Sequence, residues 1–197
     1  YPRLFKVDFT QGFYDENVAV PLADITLTNA DGKPIAGEVI ARVSRVQDTP
    51  QTNEQNSLDG WYQSAKNREV IFTKTLTFAT PGAQTLQLPA VPEGIYRLTL
   101  TSKQAEEQAV IFVVAAKESH LKLPDVTLAQ HKTYYPGETA RVLLGNSSLS
   151  GSERVEVYRK DQFLSTAELL PSGVSIYTYP VDEQDRGGLT IGWFGAS

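Results

Sequence analysis

Three carboxylates stand close together late in the chain, at Asp182, Glu183 and Asp185. Carboxylate oxygens are the ligands that calcium prefers, so this group could hold a cation. The spacing does not match an EF-hand loop, in which the ligands recur at alternate positions. The group is followed by Arg186-Gly187-Gly188, and paired glycines mark a turn. We therefore interpret the acidic group as a solvated turn and predict no metal site.

Histidine and cysteine residues, which commonly bind transition metals, are also few in this chain. The chain has two histidines, His120 and His131, and no cysteine. The histidines do not stand at the i, i+2 or i, i+4 spacing that brings two zinc ligands together on one element. Without cysteine, these residues form no disulfide, no thiolate metal site and no cysteine nucleophile. We predict no metal and no cofactor.

One segment imitates the nucleophile elbow of serine hydrolases. In the run Gly145-Asn146-Ser147-Ser148-Leu149, a leucine takes the place of the second glycine, and no strand-turn-helix pattern surrounds it. Its Asn146-Ser147-Ser148 also fits the glycosylation pattern, and we interpret it as a turn. The pair Gly187-Gly188 lacks a following helix that would present amides to phosphate. We predict no catalytic residue and no small-molecule substrate.

A long polar connection and an aromatic pair lie side by side in the first half. The residues from Val46 to Gly60 are polar and numerous for a hairpin connection. They could be a protease-accessible loop or partner contact, but the favoured interpretation is a solvated insertion. Trp61 and Tyr62 follow, and could stack on a sugar. The favoured interpretation is that they plug the edge of a sandwich, since large aromatics bury much area.

Bulk composition narrows the class of protein. The 197 residues include 18 basic and 23 acidic ones, for a net charge of −5. The basic residues are spread singly, so nucleic acid and anionic membranes are poor partners. No apolar run reaches the length of a membrane helix. The chain begins at Tyr1 and has no signal-like region, and we interpret it as a piece of a longer protein.

Apolar residues recur with the period of β-strands and not with that of helices. The first half shows four alternating sets and one continuous apolar run, Val110 to Val114, which suits a strand buried on both faces. The only helical candidate is Tyr62 to Glu69. The alternating sets are Ile25 and Leu27; Val39, Ala41 and Val43; Val70, Phe72, Leu76 and Phe78, interrupted by Lys74; and Tyr96, Leu98 and Leu100.

Turn signals separate these strands, and a second strand series begins after a polar linker at 115–120. We predict an all-β chain of two tandem antiparallel β-sandwich domains, at 1–118 and 119–197. The second domain is short and could lack its last strand, which would leave an unpaired edge. Its predicted strands are Val126 to Leu128, Ala140 to Leu144, Val155 to Tyr158, Val174 to Tyr179, and Leu189 to Trp193.

The clearest local signal is Tyr135-Pro136-Gly137-Glu138. Pro136 fixes its own φ, and Gly137 can adopt the positive φ that a type II turn requires. After the turn, Ala140, Val142 and Leu144 share one face of a strand.

Both halves resemble macroglobulin domains of the bacterial α2-macroglobulin family, which are macroglobulin- or fibronectin-III-like sandwiches. The second half carries the aromatic-Pro-Gly-Glu turn and a V-x-V-x-R strand. The order of these motifs over two consecutive domains makes the match. The first half carries Leu22-Ala23-Asp24, Asp31-Gly32-Lys33-Pro34-Ile35-Ala36-Gly37 and Glu93-Gly94-Ile95-Tyr96-Arg97-Leu98, and the strand of the second half is Val155-Glu156-Val157-Tyr158-Arg159.

The resemblance implies a large periplasmic, cell-envelope or secreted inhibitor that serves bacterial defence by trapping proteases. In that family a protease cleaves a bait segment, the inhibitor rearranges, and the protease is caged. Many members then capture the protease through a thioester in a Cys-x-Glu-Gln motif. This chain has no cysteine, so it would be non-enzymatic framework. Its partners would be the other domains of the parent chain and the target proteases.

A different class of function also fits the sequence. An adhesin stalk or a carbohydrate-binding module of a cell-surface protein would use the same sandwiches. A Cys-x-Glu-Gln motif in the flanking sequence favours the inhibitor, whereas a cell-wall anchor or repeated copies favour the stalk. An accessory domain of an enzyme would instead adjoin a catalytic domain.

Limited proteolysis tests this domain map. We expect the first cuts between residues 46 and 60 or near residues 116–120, because backbone outside strands is open to a protease. Mass spectrometry of the early fragments identifies the cut sites. Cleavage within the run Val110 to Val114, with both regions intact, would contradict the map.

Overall fold

A computed structural model describes residues 4–47, 57–103, 105–146, 153–159, 162–169, 173–185 and 190–195. The chain divides into two compact units, Tyr1–Ala116 and Lys117–Ser197. Both consist mainly of antiparallel sheets. The predicted all-β sandwich fold is confirmed.

The first unit contains two sheets. One has three strands in the order β1-β3-β6, and the other has five in the order β2-β8-β7-β4-β5. All pairs are antiparallel except β2 with β8. The elements are β1 (Leu4–Phe9), β2 (Tyr14–Asp15), β3 (Val20–Thr28), β4 (Gly37–Val46), α1 (Leu58–Tyr62), β5 (Arg68–Phe78), β6 (Ala83–Leu88), β7 (Gly94–Ser102) and β8 (Ala105–Ala115).

The core of this unit lies where alternating apolar residues of both sheets meet. On β4, Val39, Ala41 and Val43 are buried while Ile40 is exposed, as the alternation predicts. The same cluster contains Leu22, Ile25 and Leu27 of β3, Leu86 and Leu88 of β6, and Tyr96, Leu98 and Leu100 of β7. Burial of such side chains contributes about 1.5–3 kcal/mol each relative to exposure.

Strand β8 is buried on both faces. Phe112 and Val114 belong to the core cluster, whereas Ile111 and Val113 are buried on the alternate face. The continuous apolar run therefore packs as predicted. Helix α1 contacts β8, which explains how a strand of a two-layer unit is covered on its second side.

Strand β5 departs from the predicted pattern at Val70. A β-bulge shifts the register, because Val43 pairs with Phe72 while the next residue, Ser44, pairs with Val70. Ile71 is thus an extra residue, and Val70 no longer shares the face of Phe72. Val70 is 55% exposed. The prediction that Val70 lies on the buried face is wrong, since only pairing with β4 creates the bulge.

The helix also differs from its predicted place. It spans Leu58–Tyr62 and not Tyr62 to Glu69, of which the last two residues begin β5. Ser57 caps the helix, and its Oγ accepts a hydrogen bond from the Gly60 N–H at 3.0 Å. Serine at this position satisfies an otherwise unpaired helical N–H. Within the described ranges, no helix has the length and apolar character needed to cross a membrane.

The second unit has two three-stranded antiparallel sheets, ordered β13-β10-β9 and β12-β11-β14. Strand β12, which pairs antiparallel with β11, was not predicted from the sequence. A short 3₁₀ helix covers Glu183–Asp185. The strands are β9 (Val126–Ala129), β10 (Thr139–Asn146), β11 (Glu153–Arg159), β12 (Gln162–Leu169), β13 (Gly173–Pro180) and β14 (Thr190–Gly195).

Strand β10 lies at the centre of its sheet and has buried residues on both faces. Ala140, Val142 and Leu144 are buried on one face, as predicted, and Leu143 is buried on the other. Leu123, from the segment before β9, is also buried. The connection that precedes β9 thus contributes an apolar side chain to this unit.

Substitution of Leu76 and Val70 by alanine tests the bulge. Leu76 is 3% exposed, so Leu76→Ala should lower the free energy of unfolding by about 2–5 kcal/mol. Val70→Ala, on the same strand, should cost no more than about 0.5 kcal/mol. Urea unfolding followed by tryptophan fluorescence measures both values. A large loss for Val70→Ala would mean that the strand has no bulge.

Candidate functional site

The acidic group forms a turn with hydrogen bonds between its first and last residues. The Asp182 N–H donates to Asp185 Oδ2 at 2.9 Å, and the Asp185 N–H donates to Asp182 O at 3.1 Å. Asp182 and Glu183 are exposed, but Asp185 is 7% exposed. The predicted solvated turn therefore holds for the first two residues and is wrong for Asp185, whose carboxylate caps the backbone. Among the described residues, no three His, Cys, Asp or Glu side chains could together hold a metal ion.

The histidines lie in different places. His120 is exposed in the segment before β9, and His131 is exposed after that strand. The rings of His131 and Tyr134 meet edge-to-face with centroids 5.6 Å apart, and the His131 N–H donates to the Tyr134 hydroxyl at 3.1 Å. The second histidine thus takes part in a local loop contact.

Trp61 and Tyr62 are buried at the end of α1. They are 6% and 4% exposed, and their ring centroids are 6.5 Å apart with a 53° tilt. A sugar-stacking platform requires exposed ring faces, so the carbohydrate-binding interpretation of this pair is wrong. Burial raises the pKa of the Tyr62 phenol to about 12, because the charged phenolate is poorly solvated there.

Polar contacts fasten the segment after α1 to the sheet. Gln63 Nε2 donates to Ala109 O of β8 at 3.0 Å, and Arg97 Nη1 of β7 donates to Gln63 O at 3.0 Å. Burial lowers the pKa of the Arg97 guanidinium, and the nearby Arg68 acts in the same direction. Arg97 therefore holds the backbone of Gln63 against the sheet, a role that its sequence context does not reveal.

The aromatic-Pro-Gly-Glu segment folds as the predicted type II turn. The Glu138 N–H donates to Tyr135 O at 3.0 Å, and Gly137 has a φ of +94°. The Glu138 carboxylate closes the turn from outside by accepting the Tyr135 N–H at 2.8 Å. Two further bonds tie the turn to the residue after β13, since the Gly137 N–H donates to Val181 O and the Val181 N–H donates to Glu138 O. The motif thus sets where β10 begins.

The Asp-Gly turn of the first half is organised by a residue outside the dipeptide. Asn29 Oδ1 accepts the N–H groups of Asp31 and Lys33, both at 3.0 Å. The Asn29 N–H donates to Lys33 O at 2.9 Å, and the Gly32 N–H donates to Asn29 O at 3.0 Å. Asparagine commonly closes turns in this way, and Asn29 begins the run Asn29–Pro34 that the sequence predicts as a turn with Asp-Gly as its core.

The segment from Glu93 to Tyr96 is fixed by a residue remote in sequence. Arg45 Nη2 donates to Glu93 O at 2.5 Å, and Arg45 lies so close that a Cβ on Gly94 would come within 2.6 Å of its Nε. The Glu93 carboxylate in turn accepts the Ala116 N–H at 3.0 Å. A side chain at position 94 would therefore displace the Arg45 guanidinium from its place beside the backbone.

The other candidate segments are described in part. Gly145 and Asn146, which begin the imitation nucleophile elbow, end strand β10, while residues 147–149 lie outside the described residues. Gly187-Gly188 and most of the polar connection, residues 48–56, also lie outside them. Three carboxylates of the candidate segments described above, those of Glu93, Glu138 and Asp185, accept hydrogen bonds from backbone N–H groups.

The buried phenol of Tyr62 predicts a loss of stability at high pH. The pKa of the Tyr62 phenol rises from its ordinary value of 10.0 to about 12 in the folded chain. Between these two pH values, the Tyr62 phenol is ionised in the unfolded chain and neutral in the folded chain. The contribution of Tyr62 to stability is therefore full below pH 10.0 and falls by about 3 kcal/mol as the pH rises through the folded pKa. Urea unfolding across this range should show a shallower fall for Tyr62→Phe, and an unchanged slope would contradict this assignment.

Comparison with known proteins gives a consistent set of similar structures. No family model matches the chain, and no curated protein does. Among solved structures, Salmonella α2-macroglobulin reacted with methylamine is 21% identical with a TM-score of 0.43, over 97% of this chain and 13% of that one. Trypsin-activated Escherichia coli α2-macroglobulin is 16% identical with a TM-score of 0.42, over 92% and 13%.

The native conformation of the E. coli protein is 17% identical with a TM-score of 0.39, over 93% of this chain and 13% of that chain. The present chain thus spans a small part of the length of these proteins. Over nearly its whole length, it is similar to bacterial α2-macroglobulins, the family that its sequence motifs resemble.

Proposed function

We propose that this chain is a non-catalytic framework piece of a bacterial α2-macroglobulin-like protease inhibitor. Two β-sandwich domains, at 1–118 and 119–197, would hold other parts of the parent chain in place while a protease is trapped. The parent protein would be periplasmic, or otherwise belong to the cell envelope or be secreted, and serve in bacterial defence. Its target proteases would be the partners of the whole molecule.

The observation that supports this proposal best is the geometry of the Tyr135–Glu138 turn. The resemblance depends on an aromatic-Pro-Gly-Glu turn that leads into a strand, and the segment has that structure, with the positive φ at Gly137 and β10 beginning at Thr139. Trp61 and Tyr62 add support against the carbohydrate-binding alternative, because both are buried.

The polar residues of the first unit also fit a framework role. Arg45, Glu93 and Arg97 make hydrogen bonds to backbone groups of other segments. Each such bond stabilises the fold by about 0.5–1.5 kcal/mol, or more when one partner is charged. The charged side chains of these three residues thus hold connecting segments of the backbone in place.

The parent chain, obtained by extending the sequence in both directions, provides the experiment. After incubation with trypsin or elastase, we expect the protease to keep its activity on a small chromogenic peptide and to lose it on a large protein substrate. A cage gives this difference because small peptides diffuse into it and large proteins do not. The two activities are measured in the same sample.

The 197-residue chain alone is the matched control, and it should change neither activity. Inhibition or hydrolysis by this chain alone would contradict the framework proposal. A parent that reduces neither activity, or both equally, would contradict the trapping role.

A further inference from the structure

Strand β5 is a long edge strand. It spans 11 residues, Arg68–Phe78, and stands last in the order β2-β8-β7-β4-β5. No strand in the described part of the chain pairs with its second side. Such an edge offers unpaired N–H and C=O groups to any other strand, including the same strand of a second copy.

The hydrogen-bond pattern of β4 with β5 can be fixed from one bond. The Gln47 N–H donates to Asn67 O at 2.8 Å, immediately before the ladder begins. Residues of an antiparallel strand bond alternately to one neighbour and to the other. Every second residue of β4, counted back from Gln47, therefore bonds to β5. Ala41 is one of these residues, and its partner on β5 is Lys74. The backbone groups of Lys74 therefore point toward β4.

The threonines on either side of Lys74 then point the opposite way. Thr73, Thr75 and Thr77 direct their N–H and C=O groups to the open side of β5. An independent contact agrees, because Gln84 Nε2 of β6 donates to Thr77 O at 2.6 Å. This bond occupies one end of the open edge, and the bulge at Ile71 interrupts the other end. The regular stretch with which no described strand pairs is Thr73–Thr75, and Lys74 is its centre.

One symmetric pairing with a second copy uses the outward backbone groups of both Thr73 and Thr75. Thr73 of each copy would exchange hydrogen bonds with Thr75 of the other, with the two-fold axis at Lys74. Lys74 would then face Lys74 of the second copy in a non-hydrogen-bonded pair, in which side chains stand closest. Like charges directly opposite one another destabilise strand pairing.

The position of Lys74 on its own strand is unusual for a charge. It follows the alternation of Phe72, Leu76 and Phe78, of which the last two are buried and the first packs against the core. Lys74 itself is exposed. A charged residue on the core-side face of an edge strand is one of the devices that hinder edge-to-edge association.

We propose that Lys74 prevents strand β5 from pairing with β5 of a second copy, and that this edge becomes a dimer interface when the charge is removed. The surface involved is the backbone of Thr73–Thr75. The partner is a second copy of this chain in antiparallel orientation.

Sedimentation velocity of the 197-residue chain and its variants tests the proposal. The unchanged chain should be monomeric, and Lys74→Thr should form a dimer. The dimer dissociation constant of Lys74→Thr should be at least about fivefold lower than that of the unchanged chain. Lys103→Thr, which removes an exposed lysine in the β7–β8 turn, is the matched control and should stay monomeric. Circular dichroism checks that each variant is folded.

A charge exchange makes the test specific to position 74. Lys74→Glu alone should be monomeric, because glutamates would then face each other. An equimolar mixture of Lys74→Glu with the unchanged chain should form a heterodimer that weakens with added salt. This readout does not depend on the folding of Lys74→Thr.

The double variant Lys74→Thr with Thr75→Pro identifies the edge. Proline removes the N–H that points outward at Thr75, which an edge strand tolerates, so the double variant should return to monomer. Three results would overturn the proposal: a dimeric unchanged chain, a monomeric mixture, or a double variant that remains dimeric.

Discussion

The side chain of Phe112 joins the two sheets of the first unit, and the rest of that unit is arranged around it. Its ring stacks on Tyr96 of the neighbouring strand at 5.5 Å, meets Tyr14 edge-on at 5.7 Å, and contacts Phe9 of the other sheet at 5.8 Å. Such aromatic pairs contribute about 0.5–1.5 kcal/mol beyond the area that they bury. The contacts also fix the short parallel strand β2 against β8, because Tyr14 is fully buried.

Burying large aromatic rings brings polar atoms into the interior, and the unit satisfies these atoms locally. The Tyr14 hydroxyl donates to Leu22 O, and the Tyr96 hydroxyl donates to Pro92 O at 2.6 Å. Arg45 and Glu93 secure the next connection. An unsatisfied buried group would cost about 1–3 kcal/mol, so these bonds are a condition of the packing. The same use of polar groups agrees with the framework role that we propose.

A sheet that buries one face still has edge strands, and these strands must avoid pairing with strands of other molecules. At β5 the chain combines a bulge, a charged residue among apolar ones, and a glutamine from β6 bonded to an edge carbonyl. All three act on one short stretch of backbone. Strand β5 thus carries apolar residues that pack in the core and an exposed lysine within the same alternation.

Several local features of this protein follow from the residues next to them in the chain. Alternation at Val39 to Val43, the apolar run at Val110 to Val114 and the Pro136-Gly137 turn depend on neighbouring residues, so each was predictable. The bulge at Ile71 and the contact of Arg45 with Gly94 were not predictable in this way. Each of these depends on segments distant in the chain, because register and burial are settled between strands and not within them.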